Sequence, residues 1–315
     1  METRASSADS RFRFFIRQSR KYHTIYWLAA PGLLFLLVFG YFPIYGLTIA
    51  FKDFSVTQGI MGSPWVGFRN FEYFFTSDKM IPLIRNTVLL NVMFIGFTTV
   101  FSVGIALFLN ELRHQLFKRV SQSIIFFPHF VSWVVVGMMT MAFLGGQKPA
   151  VNEWLHLIGL QEVNWYFIPD IWPWILTMLK VWQGSGYLSI IYLAAIAAIP
   201  DEMYEAAKID GASRWAMMKK ITLPMLYPTV SVLTLLAAGK IFNGDFQMIY
   251  AIVGDNSMIF STTDVIDTYV YRAMRNLNDF GMSSAVGLFQ TVLGFIFVLL
   301  VNAVVRRISK DSALF

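Results

Sequence analysis

Residues 201–228 read DEMYEAAKIDGASRWAMMKKITLPMLYP, with one apolar run ending just before them (Trp172 to Ile199) and another beginning inside them (Ile221 to Phe242). Each run meets the length of about 20 helical residues that a hydrocarbon core of ~30 Å requires. Only helices or closed barrels satisfy every backbone group in lipid, and these runs are continuous rather than alternating, so they read as helices. The charged stretch between them is a short polar element held at a membrane surface by two spans. Four more such runs can be drawn: Ile25 to Phe51, Asn86 to Asn110, Ile124 to Leu144 and Met282 to Val305. The predicted fold is an all-α integral membrane protein of six transmembrane helices.

Composition agrees. Hydrophobic residues make up 56% of the chain, charged residues 14%, and mean hydropathy is +0.56. Soluble domains carry about 25% charged residues. The net charge of +6 would suggest nucleic acid in a soluble protein. Here its position explains it, and no nucleic-acid partner is expected. If the N-terminus is inside, the inner segments hold 16 Lys and Arg and the outer loops 7, while acidic residues divide 8 inside and 11 outside. The positive-inside rule then places both termini and the 200–220 loop in the cytoplasm of a multi-pass protein. Residues 1–24 read as a basic arm, 25–305 as the membrane domain and 306–315 as a tail; the apolar run after the arm is too long for a cleaved signal. Aromatic residues of the outer loops, such as Trp154, Trp165 and the WVGFRNFEYFF stretch, read as interface-belt residues. An amphipathic helix is expected near Asp264–Met274, where Val265, Thr268, Tyr269 and Arg272 recur at helical spacing.

Several chemistries are excluded. There is no cysteine, hence no disulfide or thiolate site. His23, His114, His129 and His156 lack metal-type spacing, so no metal is expected; His129 is expected to be packed and hydrogen-bonded within a span. No GxxxxGK[ST] phosphate loop occurs. Gly184-Ser185-Gly186 and Gly145-Gly146 lack its lysine. No paired carboxylates or clustered histidines lie in the spans, so the chain does not read as an enzyme. A secondary transporter, the alternative, would tend to show inverted repeats, and none is found.

The 200–224 loop has local logic. Pro200 breaks the preceding helix. Asp201 can cap a new one, and Asp201, Glu202 and Glu205 suit its N-terminal turns. Gly211 suits a positive φ at a helix end. Ser213 can cap a second short helix ending in Lys219-Lys220. Small Ala206 and Ala207 let another surface approach while Glu205 offers it a charge.

Glu205-Ala206-Ala207, three residues, Gly211, nine residues, then Ile221-x-Leu223-Pro224 resembles the signature cytoplasmic loop of binding-protein-dependent ABC importer permeases. PGLLFLLVFGYFPIYGLTIAFKDF, SPWVGFRNF, LIRNTVLL, FPHFVSWVVV, TTDVIDTYVYR and SSAVGLFQTVLGF extend the resemblance over nearly the whole chain, toward maltose-type sugar permeases and the subgroup handling complex oligo- and polysaccharides. A large outer domain found in the maltose prototype has no counterpart in residues 52–85. The resemblance implies a permease subunit of the bacterial inner membrane. Its partners would be a second permease (a heterodimer in this subgroup), two cytoplasmic ATPase subunits that bind ATP and magnesium, and an extracytoplasmic sugar-binding protein. It implies that Glu205, Ala206, Ala207, Asp210, Gly211, Ile221, Leu223 and Pro224 form the ATPase-coupling element.

A sugar path needs aromatic faces and polar groups for hydroxyls. Intramembrane ionisable residues are functional candidates by default. Lys180, Trp182, Gln183 and Tyr187 on the fourth span, with Asn243, Asp245 and Gln247 after the fifth, are the candidate path. Lys240 is expected to reach for the interface or pair with Asp245. A basic lining would suit an acidic, uronic-type oligosaccharide such as alginate or a pectin fragment.

Overall fold

The structure, a computed structural model, describes residues 21–308; most of the basic arm and the end of the tail lie outside the described residues. In chain order its main helices are α1 (His23–Phe51), α2 (Arg69–Phe75), α3 (Met80–Glu111), α4 (Gln115–Phe130), α5 (Trp133–Leu144) and α6 (Ala150–Leu157). There follow α7 (Trp172–Ala197), α8 (Asp201–Ile209), α9 (Arg214–Ala238), α10 (Phe246–Val253), α11 (Ile266–Leu277) and α12 (Phe280–Ile308). Four helices, α1, α3, α9 and α12, are long and apolar enough to cross a membrane, and up to six spans result if two bent helix pairs each count as one. The fold is thus helical throughout the described residues, apart from an isolated bridge between Lys52 and Trp65.

One of those bent pairs corrects an expectation. The sequence predicts one continuous span over Ile124 to Leu144, but α4 and α5 meet at 93°. Phe127-Pro128-His129-Phe130 forms a 3₁₀ turn whose proline lacks a backbone donor. Ser132 then starts α5 by accepting from Val135 N at 3.4 Å. An exposed carbonyl within lipid would be costly. The Val131 carbonyl at the break is satisfied by the Gln183 side-chain amide at 3.2 Å.

Two glycines decide how closely the broken element packs. A Cβ on Gly137 would run into the Ala251 carbonyl of α10, and one on Gly186 into the Ile125 carbonyl of α4. Helices in lipid gain little from burying apolar groups against each other and associate through close approach and polar links, which small residues permit. Hydroxyls inside the bundle turn back on their own helices: Thr87, Ser102, Thr140 and Thr177 each donate to the carbonyl four residues earlier, at 2.6–2.8 Å. The back-bond spares them an unsatisfied donor.

The core has three parts. Near α8, Ala106, Tyr192, Ile196 and Leu226 join α3, α7 and α9. At the far end, Leu90 and Phe94 of α3, Val136 of α5, Trp172 and Leu176 of α7, and Met248, Ile249, Ile252 and Val253 of α10 make a larger cluster. Beside it, Phe74, Leu83, Ile266, Ala273, Met282 and Val286 seat α2 and α11 against α3 and α12. Aromatics assigned by sequence to an interface belt therefore divide. Trp154 is exposed, but Phe74 is buried. Trp165 is held too, its indole donating to Asn152 Oδ1 while its carbonyl accepts from the Trp172 indole, both at 2.9 Å.

The amphipathic helix expected near Asp264–Met274 is present as α11. Its inner face carries Arg272, which pairs with Asp264 at 2.5 Å with both side chains 13–14% exposed. Asp267 on the same helix accepts from Gly244 N at 2.5 Å and from the Gln290 amide at 2.8 Å. Burial pushes the Asp267 carboxyl above its ordinary value, against the lowering effect of those two donors. Gln290 also donates to the Phe242 carbonyl at 2.7 Å. The turn after α9 is thereby tied to α11 and α12.

Candidate functional site

The 200–224 element is built by local chemistry. Pro200, not Asp201, stands at the N-cap of α8, and Asp201 and Glu202 occupy the first turn. The chain leaves α7 for α8 with a 68° bend. α8 ends as a Schellman motif: Gly211 N donates to the Lys208 carbonyl at 3.0 Å and Ala212 N to the Ala207 carbonyl at 2.9 Å. Gly211 has φ +77°, the left-handed conformation that favours glycine. Ser213 caps the next helix by accepting from Ala216 N at 3.2 Å. That helix is not the separate short one expected to end at Lys219-Lys220. It runs on through a π-turn at Met218–Thr222 into the fifth span. Pro224 lacks an N–H, and a π-turn just before it absorbs the lost bond without stopping the helix. Ile221, Leu223 and Pro224 therefore sit on the same rod as the fifth span, ending at Ala238 rather than Phe242.

No residue of α8 is buried, and Glu205, Ala206, Asp210 and Gly211 are exposed. Beside them Ile209 is 87% exposed and Trp215 69%. A charge flanked by small and large apolar groups is left without an intrachain partner surface. Tyr204 Oη lies 2.9 Å from Oγ1 of buried Thr222, which links α8 to α9, and just past the turn the first residue of α9 is tied to α3, with Arg214 Nη1 3.4 Å from Glu111 Oε2. Sequence reasoning missed both. Tyr204 and Ala207 are the less exposed positions of α8 and lie three apart, the spacing of an inward stripe.

The candidate path residues gather at the break in the third segment. Lys180 Nζ donates to Asp245 Oδ2 at 2.6 Å and lies 5.4 Å from the Trp133 ring centre. Lys180 sits eight residues into α7, about 12 Å from the end distant from α8 at 1.5 Å rise per residue. Asp245 pairs with Lys180, not with Lys240, because the turn after α9 points Asp245 back at α7; its other oxygen caps α10 through Met248 N at 3.3 Å. Gln183 is spent on the Val131 carbonyl, as above. Tyr187 stacks on His129 at 4.4 Å and 11°, and Phe126 stacks beyond. His129 is thus exposed and stacked rather than packed and hydrogen-bonded. Trp182, Asn243 and Gln247 are exposed. The Asn243 carbonyl accepts from the Asn91 amide at 3.0 Å.

Lys180, Lys240, Asn243 and Asp245 share a cavity of about 430 Å³ with Asn91, Thr98 and Tyr192. Thr98 Oγ1 is buried there without a hydrogen-bond partner among the described residues. The cavity lies between α3, α7 and α9, and apolar side chains such as Phe94, Ile95 and Leu233 make up much of its wall. Lys180 is neutralised by Asp245, leaving Lys240 as its exposed cation. No group of three or more His, Cys, Asp or Glu suited to a metal ion occurs among the described residues.

Residues 79–310 match the family described as binding-protein-dependent transport system inner membrane component. Protein LplB of Bacillus subtilis (strain 168) is 36% identical over 288 residues, covering 91% of this chain and 90% of that one. The polygalacturonan/rhamnogalacturonan transport system permease protein YteP of the same organism is 35% identical, covering 91% and 89%. A solved bacterial ABC transporter involved in the import of the acidic polysaccharide alginate contains a chain that superposes with a TM-score of 0.85 at 32% identity, covering 94% of this chain and 99% of that one.

Proposed function

The chain belongs to the family of binding-protein-dependent transport system inner membrane components, and from that premise we propose how it works: as the permease subunit of an ATP-driven importer of oligo- or polysaccharides, it forms half of a translocation pathway and receives its drive through α8. It is a transport subunit rather than an enzyme. The observation that carries the mechanism is the unpartnered surface of α8. Glu205, Ala206 and Ala207 with Ile209 and Trp215 would seat in a groove of a cytoplasmic ATPase. Asp210 and Gly211 shape the turn, and Ile221, Leu223 and Pro224 continue the lever. Because α9 is one rod from Arg214 to Ala238, a push on α8 reaches the fifth span directly. ATP and magnesium would be held by two ATPase partners, and a second permease, a paralogue rather than a copy, would complete the path. An extracytoplasmic binding protein would deliver the sugar. The charge bias supports a cytoplasmic location for the α8 end and both termini.

For the cargo, an acidic, uronic-type saccharide is the reading the relatives favour, since one is named for polygalacturonan and one structure for alginate. The path would run past Lys180, Trp182, Gln183 and Tyr187 and the Asn243, Asp245 and Gln247 turn. Lys180 and Gln183 serve it chiefly by holding the walls in place, whereas exposed Trp182 and Tyr187 offer ring faces to sugar. Glu205→Lys tests the drive. Co-purification of the ATPase and uptake by reconstituted vesicles should both be lost while the permease still inserts; normal uptake would overturn the assignment. Uptake of neutral oligosaccharides alone would overturn the acidic cargo.

A further inference from the structure

Resting on the reading of this chain as a saccharide permease, we propose that Phe246, Tyr250, Tyr271 and Arg275 form a further saccharide subsite at the far end of the bundle, with the Arg275 guanidinium receiving the carboxylate of an acidic sugar.

Two arginines on α11 make the case by contrast. Arg272 is nearly buried, bonded to Asp264 and stacked 4.1 Å over the Phe260 ring. Its charge is spent on the fold. Arg275, one turn on, is exposed and has no carboxylate partner among the described ion pairs. Its Nη1 donates to the Tyr250 hydroxyl at 2.6 Å, and its guanidinium lies 6.0 Å from the Tyr271 ring centre. A phenol is a neutral acceptor, so this bond leaves the guanidinium its charge, with Asp255 a carboxylate that also acts on Tyr250. A guanidinium has five N–H donors in a planar fork that fits a carboxylate bidentately.

The rings around it are ordered. Phe246 and Tyr250 stack at 5.3 Å and 13°, and Tyr271 meets each of them at 4.9 Å. All three are partly exposed. Aromatic faces next to a fixed guanidinium suit a sugar ring that carries a carboxylate: the ring's C–H face packs on the aromatics and the acid meets the fork. Each pair, Phe246–Tyr250 and Tyr271–Arg275, is spaced four residues apart on its helix, so α10 and α11 hold the group rigidly. The group also leads somewhere. Phe246 follows Asp245, the partner of Lys180, and Tyr250 and Phe246 line a groove of about 980 Å³ between α5 and α10 with Trp133 and Tyr166. Asp245 itself lines the cavity that holds Lys180 and Lys240.

The probe is a galacturonate oligomer, compared with the same oligomer methyl-esterified, which keeps the rings and removes the charge. Binding to the assembled transporter in nanodiscs is measured beside uptake. Arg275→Ala should weaken binding of the acid oligomer at least tenfold, leave that of the ester within twofold, and leave the thermal midpoint unchanged. Arg275→Lys, which keeps the charge but loses the fork, should restore only part of the affinity, and added salt should erode the acid's advantage. Arg275→Gln, a shorter side chain that keeps a polar amide without the charge, replaces the alanine variant if that one fails to assemble. Equal losses for acid and ester, or no loss for either, would overturn the subsite. Normal uptake with unchanged affinity would remove the subsite alone, whereas a wild-type complex that takes up neither oligomer would remove the import reading beneath it.

Discussion

The two ends of this bundle are built on opposite principles. At one end, α8 buries nothing; local caps hold it, a hydroxyl pair joins it to Thr222 of α9, and a half-exposed ion pair ties the start of α9 to Glu111. At the other, α5, α10 and α11 are held by a nearly buried ion pair, a glycine pressed on backbone and a side-chain amide on a freed carbonyl. The first arrangement suits an element that is grasped and pushed. The second suits a frame that must stay rigid while a substrate passes. The difference lies in where the stabilising contacts come from: from neighbours in sequence in α8, and from residues up to 179 positions away in the frame.

The ion pairs give the largest test. Removing one partner of a buried pair leaves an uncompensated charge, a cost of about 3–5 kcal/mol. Asp264→Ala should therefore lower the thermal midpoint in detergent sharply, whereas Arg214→Ala should cost under about 1 kcal/mol, as exposed pairs do. Equal effects would erase the distinction between the ends. A smaller test uses the glycines. Gly137→Ala overpacks α5 against α10 and should cost about 1–3 kcal/mol. Gly211→Ala meets open space and suffers only the left-handed backbone penalty of about 1–2 kcal/mol, and its main loss should appear as ATPase activity uncoupled from uptake. The smallest is Tyr204→Phe. Thr222 can turn to another acceptor in its own helix, so stability should fall by about 1 kcal/mol. Coupling of ATP hydrolysis to uptake should fall more than the thermal midpoint; the reverse would make Tyr204 a packing residue only.

Much was legible in the sequence because its physics is local. Membrane class, the positions of most spans and α11 follow from hydropathy and helical period. Gly211 and Ser213 follow from capping rules, and both keep their roles. The break at Phe130–Trp133 was not legible by run length, because Ile124 to Leu144 carries no Asp, Glu, Lys or Arg. Pro128 was the available signal, yet a proline alone does not separate a kink from a 93° turn. The partner of Asp245 was also hidden, since Lys240 is nearer in sequence and Lys180 nearer in space.

Taken alone, then, the chain determines that it is a helical membrane protein with an exposed, twice-capped element between two spans, since backbone satisfaction in lipid and helix capping act over a few residues. Only the tertiary structure decides that the third segment turns aside in the bundle, that Lys180 is neutralised by Asp245, and that Arg272 is paired with Asp264 while Arg275 is exposed and bonded to a phenol. Those outcomes depend on which helices approach one another, and close approach is set by glycines and carbonyls far apart in the chain.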